Sequence, residues 1–241
     1  LTSLPEEIGN LGSLIKLSLY QSAIRSLPPS IGRLRSLEEL DLKDTKNLSG
    51  LPDEIGDLGN LIKLNLSKSV IISLPPSIGR LRSLEELNLD YTDELTSLPE
   101  EIGNLGSLIK LSLYQSAITS LPPSIGRLAS LEEFGLQDTK KLSGLPEEIG
   151  NLGSLIKLSL RYSAIRSLPP SIGRLGSLKE LNLDHTKKLS GLPEAIGNLG
   201  NLSILSLRES AVRSLPPSIG RLRSLEKLYL DDTKQLYSLP E

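Results

Sequence analysis

The 241-residue sequence has no cysteine, no methionine and no tryptophan, with one phenylalanine and one histidine. Without cysteine there are no disulfides, thiolate nucleophiles or thiolate metal ligands, and a reducing, cytoplasmic compartment is expected. The lone His185 has no second histidine to join in a metal site. No apolar run approaches the length of a bilayer span, so no membrane insertion is expected. Charge of one sign is missing too. Lys and Arg number 27 against 29 Asp and Glu, leaving −2, which gives no global attraction to nucleic acid or an acidic membrane. No glycine-rich phosphate loop stands out, and the plentiful Ser and Asp recur with a period. Neither catalysis nor a cofactor is expected. Asn-x-Ser triplets at Asn47, Asn65 and Asn201 fit the glycosylation pattern. They arise from the same repetition, and they keep secretion as the alternative location.

What is present is a period. Leu-Pro recurs at Leu4, Leu27, Leu51, Leu74, Leu98, Leu121, Leu145, Leu168, Leu192, Leu215 and Leu239, in steps alternating between 23 and 24 residues. Residues 4–26 return at 98–120 with one change, Arg25 to Thr119. Such a period means a solenoid, read as a single domain over residues 1–241. In each unit two patterns alternate. Leu17 and Leu19 show the two-residue spacing of a strand. Leu4, Ile8, Leu11 and Leu14 suit a short helix or 3-10 turn, with Pro5 at its start, Glu6 and Glu7 at its positive end and Gly9 placed to help end it. One unit cannot bury its apolar side, whereas stacked units can.

The string Leu14-x-x-Leu17-x-Leu19-x-x-Ser22-x-Ile24 resembles the leucine-rich repeat. The phrase Leu-Pro-x-x-Ile-Gly-x-Leu is similar to intracellular repeats of plants and protists, including the Ras-group type and the arms of plant immune receptors. The resemblance implies an α/β leucine-rich repeat solenoid of ten repeats, curved as a horseshoe. Its parallel β-sheet would line the concave face and its short helical or 3-10 turns the convex one. Where that family places Asn or Cys, this chain has Ser22, Ser69, Ser116, Ser163 and Ser210 alternating with Thr45, Thr92, Thr139, Thr186 and Thr233. A hydroxyl has one donor where an amide has two, so a thinner ladder along the turns is expected.

The residue before the first strand leucine alternates in sign: Lys16, Glu39, Lys63, Glu86, Lys110, Glu133, Lys157, Glu180. The convex turns alternate in the opposite phase, Glu6 and Glu7 followed by Arg33 and Arg35. Adjacent strands would then place opposite charges side by side, which explains a true unit of two spellings. The acidic coils also interrupt any arginine stripe, so nucleic acid is not an expected partner. Ile204 breaks the lysine row near its end.

The pairs after the second strand leucine vary in almost every coil. They supply Tyr20, Lys43, Ser67, Asp90, Tyr91, Tyr114, Gln137, Arg161, Tyr162, Asp184, His185, Arg208 and Asp231, and Tyr229 lies on the same face. Five of the six tyrosines gather there, and tyrosine and arginine are over-used at protein interfaces. Gly135, beside Phe134, would leave a dent on this face. These residues are expected to bind a protein partner through the concave sheet, with Tyr91, Tyr114, Arg161 and Tyr162 as anchors. The alternative is a scaffold or assembly subunit with no dedicated ligand. The chain begins mid-unit at Leu1, stops at Pro240-Glu241 and shows no polar cap. A segment of a longer array, or end-to-end self-association, is expected on that ground.

Overall fold

The computed structural model describes residues 1–237. Each coil of the chain contributes one three-residue strand, all joined in a parallel ten-stranded sheet in sequence order. The strands are β1 Lys16–Ser18, β2 Glu39–Asp41, β3 Lys63–Asn65, β4 Glu86–Asn88, β5 Lys110–Ser112, β6 Glu133–Gly135, β7 Lys157–Ser159, β8 Glu180–Asn182, β9 Ile204–Ser206 and β10 Lys227–Tyr229. The register sets Lys16 against Glu39, Leu17 against Leu40 and Ser18 against Asp41, and every later pair follows the same frame. The Leu-Pro element at Leu239 lies outside the described residues.

Opposite each strand, across the core, lies a five-residue 3-10 turn, from Glu6–Asn10 in coil 1 to Pro217–Arg221 in coil 10. The proline before each turn holds extended backbone and cannot extend a helix backward. The turn closes when the leucine N–H after it donates to the isoleucine carbonyl, as Leu105 does to Ile102. Gly9 does not end its turn, contrary to the sequence reading; it lies inside it. Its role is close approach. A Cβ on Gly103 would stand 2.3 Å from the carbonyl oxygen of Ser124 in the next coil, and the turn glycines of coils 1 to 9 all meet a next-coil carbonyl in this way, whereas Gly220 in coil 10 meets nothing within 4 Å. Only glycine lets successive turns stack this tightly.

Between sheet and turns the leucines and isoleucines form one continuous core, most of them fully buried from coil 2 to coil 9. Each leucine so buried contributes about 2 kcal/mol. Phe134 takes a leucine position and is itself 1% exposed. The hydroxyl positions divide by coil type. Thr45, Thr92, Thr139 and Thr186 are fully buried and each donates at 2.7 Å to the leucine carbonyl three residues earlier. The Oγ atoms of Ser22, Ser116, Ser163 and Ser210 are buried without a partner, while Ser69 reaches Leu66. The hydroxyls that bond, those of the threonines and Ser69, therefore serve their own coil, and the cross-coil ladder runs through backbone, as from Ala117 N to the Thr92 carbonyl.

The charge rows behave differently on the two faces. On the sheet, Lys16 meets Glu39 at 2.7 Å and Lys63 meets Glu86 at 2.9 Å. Lys110 and Lys157 both turn to Glu133, at 3.4 and 3.5 Å. On the convex side the expected Glu–Arg neutralisation is mostly replaced by another contact. Glu6, Glu100 and Glu147 accept from the backbone N–H of Ser30, Ser124 and Ser171 at the start of the next turn. Those N–H groups have no partner within their own turn, so a carboxylate placed over them is favoured. Among the described residues Arg80 alone makes a convex ion pair, with Asp57 at 3.2 Å.

Candidate functional site

The variable pair of each coil has a fixed backbone. Its second residue adopts a left-handed conformation in all ten coils, with φ between 51° and 60° at Gln21, Asp44, Lys68, Tyr91, Gln115, Asp138, Tyr162, His185, Glu209 and Asp232. None is glycine. The N–H of that residue donates to the next coil's first pair residue, for example Tyr91 N to the Tyr114 carbonyl at 2.7 Å and His185 N to the Arg208 carbonyl at 2.7 Å. Main chain carries the ladder past the end of each strand, and the side chains are free to vary. This left-handed position escaped the sequence reading; Asp44, Asp138 and Asp232 there are its faint signal, because Asp tolerates φ > 0 better than most residues.

The structure brings the expected side chains together in three groups. In coils 3 to 5, Lys68 lies 5.3 Å above the Tyr91 ring, which meets Tyr114 edge to face at 4.9 Å between centroids. Hydrogen bonding with the Tyr91 hydroxyl, and then its charge, raise the Tyr114 phenol above its ordinary value. In coils 7 to 9, Arg161 lies 4.8 Å from the Tyr162 ring, and His185 stacks on Tyr162 at 4.0 Å with planes 14° apart. Glu209 then sits 3.3 Å from both His185 Nδ1 and Lys187 Nζ. In coils 9 and 10, Arg208 covers Tyr229 at 3.9 Å and pairs with Asp231 at 2.9 Å.

At the other end, Tyr20 is half exposed, with Lys43 5.7 Å over its ring. Gln21 Nε2 donates to Asp44 Oδ2 at 3.0 Å, and this bond first, with Lys46 nearby, holds Asp44 below the ordinary carboxylate range. Between the aromatic groups lies coil 6, with Gln137 above Gly135.

Some expected contacts are engaged within the protein. Ser67 and Asp184 are each only 5% exposed. The Asp184 carboxylate accepts from Ser206 Oγ and from Arg208 N, and Asp90 does the same for Ser112 Oγ and Tyr114 N. The chemistry is a substitution. In coils 2, 3, 4 and 8 the third strand residue is Asp41, Asn65, Asn88 or Asn182, whose Oδ1 accepts the N–H two residues on. Serine at 112 and 206 is too short to do so, and the preceding coil's aspartate supplies the acceptor. Asn65, one of the glycosylation-pattern residues, is engaged with Ser67 in this way, while Asn47 and Asn201 are exposed and donate to the Ala23 and Gly176 carbonyls of the preceding coil.

No group of three or more His, Cys, Asp or Glu able to hold a metal ion occurs among the described residues, and no helix there is long and apolar enough to cross a membrane.

A family model described as Leucine Rich Repeat matches residues 177–199. The whole chain is matched by the solved structure of the Leptospira interrogans LRR protein LIC12759, at 32% identity over 76% of that chain, with a TM-score of 0.59. The chain belongs to the leucine-rich repeat family. Within that family, the TMV resistance protein N of Nicotiana glutinosa is 52% identical over 46 residues. The matched segment is 19% of this leucine-rich repeat chain and 4% of that protein, so the chain spans only a small part of that relative. The plant peptide hormone receptor RGFR1, solved in complex with RGF2, matches the whole chain at 32% identity over 41% of its own length, with a TM-score of 0.78.

Proposed function

We propose that this leucine-rich repeat array is a non-catalytic recognition module that binds a protein partner through its concave sheet, with Tyr91, Tyr114, Arg161 and Tyr162 as anchors. Leucine-rich repeats are in general protein-interaction modules, and the similar receptor RGFR1 was solved with its ligand RGF2. The observation that carries the proposal is the pairing of rings and cations across coils, from Lys68 to Tyr114 and from Arg161 to His185. Side chains that already hold one another lose little freedom on association, so more of their contact energy appears as affinity. Rings of this kind, near the middle of an array, are the residues that dominate interfaces. With no cysteine in the chain, an intracellular setting belongs to the same proposal.

The test is affinity capture from an extract of the source cells, using the chain and a variant with Tyr91, Tyr114, Arg161 and Tyr162 all changed to Ala. Circular dichroism checks that the variant is folded. A partner retained by the chain and lost by the variant is the expected result. Equal capture by both, or capture only of further copies of the chain, would replace recognition with an assembly role.

A further inference from the structure

We infer that the centre of the concave face is a subsite for an acidic side chain of the partner, seated over Gly135; the inference rests on recognition through this sheet. Gly135 occupies the third position of β6, where the neighbouring strands carry Ser112 and Ser159 and the corresponding coils 4 and 8 carry Asn88 and Asn182. Around it a depression of about 430 Å³ spreads over β5 to β8, with the end of the Gln137 side chain folded over the glycine. It shares Ser112, Gln137 and Arg161 with a second depression of about 530 Å³ that reaches Tyr114 and Tyr162.

Charge separates this dent from the other hollows of the face. Lys110, Lys157 and Arg161 line it against Glu133 and Glu180, one positive charge in excess. The hollow over coils 1 to 4 has Lys16 and Lys63 against Glu39, Asp41 and Glu86, an excess of one negative charge. The cations of the dent are also incompletely neutralised. Glu133 alone holds both lysines, and Arg161 has no carboxylate within ion-pair distance among the described residues. Its side chain lies against the Tyr162 ring and makes one side-chain hydrogen bond, to the Tyr162 hydroxyl at 3.4 Å.

A second, independent observation points to an occupant. Gln137 Oε1 is buried with no hydrogen-bond partner, and it lies 2.8 Å from where a Cβ on Gly135 would stand. An unpartnered buried acceptor is unfavourable, and the flexible Gln137 side chain turning outward to an N–H donor in the dent removes the penalty. A carboxylate for Arg161 and Lys157, together with an N–H for Gln137, describes an aspartate or glutamate residue in a peptide chain. A free anion offers only the first of these.

The experiment uses synthetic heptapeptide mixtures in which the central residue is fixed as each amino acid in turn, with binding measured to the chain and to three variants. Gly135→Asn places in the dent the residue that coils 4 and 8 already carry; its Cβ would meet only side-chain ends, Gln137 Oε1 at 2.8 Å and Ser112 Oγ at 3.4 Å. Arg161→Ala removes the free cation, and the double change of Tyr91 and Tyr114 to Ala reports on recognition itself.

Mixtures fixed as Asp or Glu are expected to bind about tenfold more tightly than those fixed as Asn or Gln. The preference should vanish in Gly135→Asn and Arg161→Ala. A preference that survives Gly135→Asn, or that never appears while binding still depends on Tyr91 and Tyr114, overturns the subsite and leaves recognition standing. Binding that is absent, or indifferent to the tyrosine changes, overturns both.

Discussion

The imidazole of His185 lies flat on the phenol of Tyr162, 4.0 Å between centroids, although the two residues belong to successive coils. Both are the second residue of a variable pair, and both have left-handed backbone. That conformation turns them toward each other along the array. A stacked pair of this kind is worth about 0.5–1.5 kcal/mol beyond its area. A double-mutant cycle of Tyr162→Ala and His185→Ala, read by urea unfolding, should therefore give a coupling energy in that range. Additive effects would mean that the rings are not held together in solution.

The turn glycines make a sharper prediction. A methyl group at Gly103 would meet a backbone carbonyl oxygen in the next coil, at 2.3 Å from Ser124, whereas one at Gly106 meets nothing within 4 Å. Backbone cannot move aside without opening the stack. Gly103→Ala should cost about 3 kcal/mol, at the upper end of overpacking losses, and Gly106→Ala should be close to neutral. Unfolding midpoints of the two variants, measured side by side, test the contrast.

Left-handed backbone predicts a gain at one position and a loss from the opposite change. Gln115 has φ 52° and makes no side-chain hydrogen bond among the described residues. Glycine relieves a left-handed cost of about 1–2 kcal/mol, less about 0.5–1 kcal/mol of extra chain entropy in the unfolded state. Gln115→Gly should thus raise stability by up to about 1 kcal/mol, and the β-branched Gln115→Val should lower it. A midpoint lowered by the glycine change would contradict this account of the site.

Much of the architecture was legible from the period. The spacing of Leu17 and Leu19 places the strand, Pro5 opens the turn, and the alternation of Lys16 with Glu39 anticipates the ion pair that forms. What escaped depends on the coil next door. Nothing local to Asp184 announces that Ser206 and Arg208, 22 and 24 residues on, will take its carboxylate. Gly9 reads locally as punctuation, yet its reason is the Ser30 carbonyl of coil 2. The left-handed positions were hidden because tyrosine, glutamine and lysine occupy half of them, and these are not residues that signal φ > 0. In this array side-chain identity reports the coil, while contacts between coils follow from the register of the stack.

The alternation of buried hydroxyls separates two changes of equal size. Thr139 Oγ1 donates to the Leu136 carbonyl at 2.7 Å, while Ser163 Oγ is buried with no partner. Thr139→Val keeps the shape and removes the donor, and should cost about 1 kcal/mol. Ser163→Ala removes a hydroxyl that bonds to nothing and should be neutral or stabilising. If the two variants lose stability equally, Ser163 has a partner in solution.

The sheet-face ion pairs make the stability of the first coils depend on pH. Hydrogen bonding from the Lys16 ammonium, and then its charge, hold the Glu39 carboxyl below its ordinary value of 4.5. The same contact raises Lys16 above 10.5. A carboxyl whose value is depressed by folding adds stability that is full above its unfolded value and lost as pH falls through the folded one. The raised ammonium adds stability that is full below 10.5 and lost as pH rises through its folded value. Lys16→Gln should therefore be less stable than the parent chain at neutral pH, and the gap should close on acidification below the Glu39 value. Titration of the Glu39 carboxyl carbon by NMR gives the direct reading, moving up toward 4.5 in Lys16→Gln. Both groups are exposed and screened by solvent, so the gap should also narrow in high salt. A Glu39 titration that does not move in Lys16→Gln would show that the contact is absent in solution.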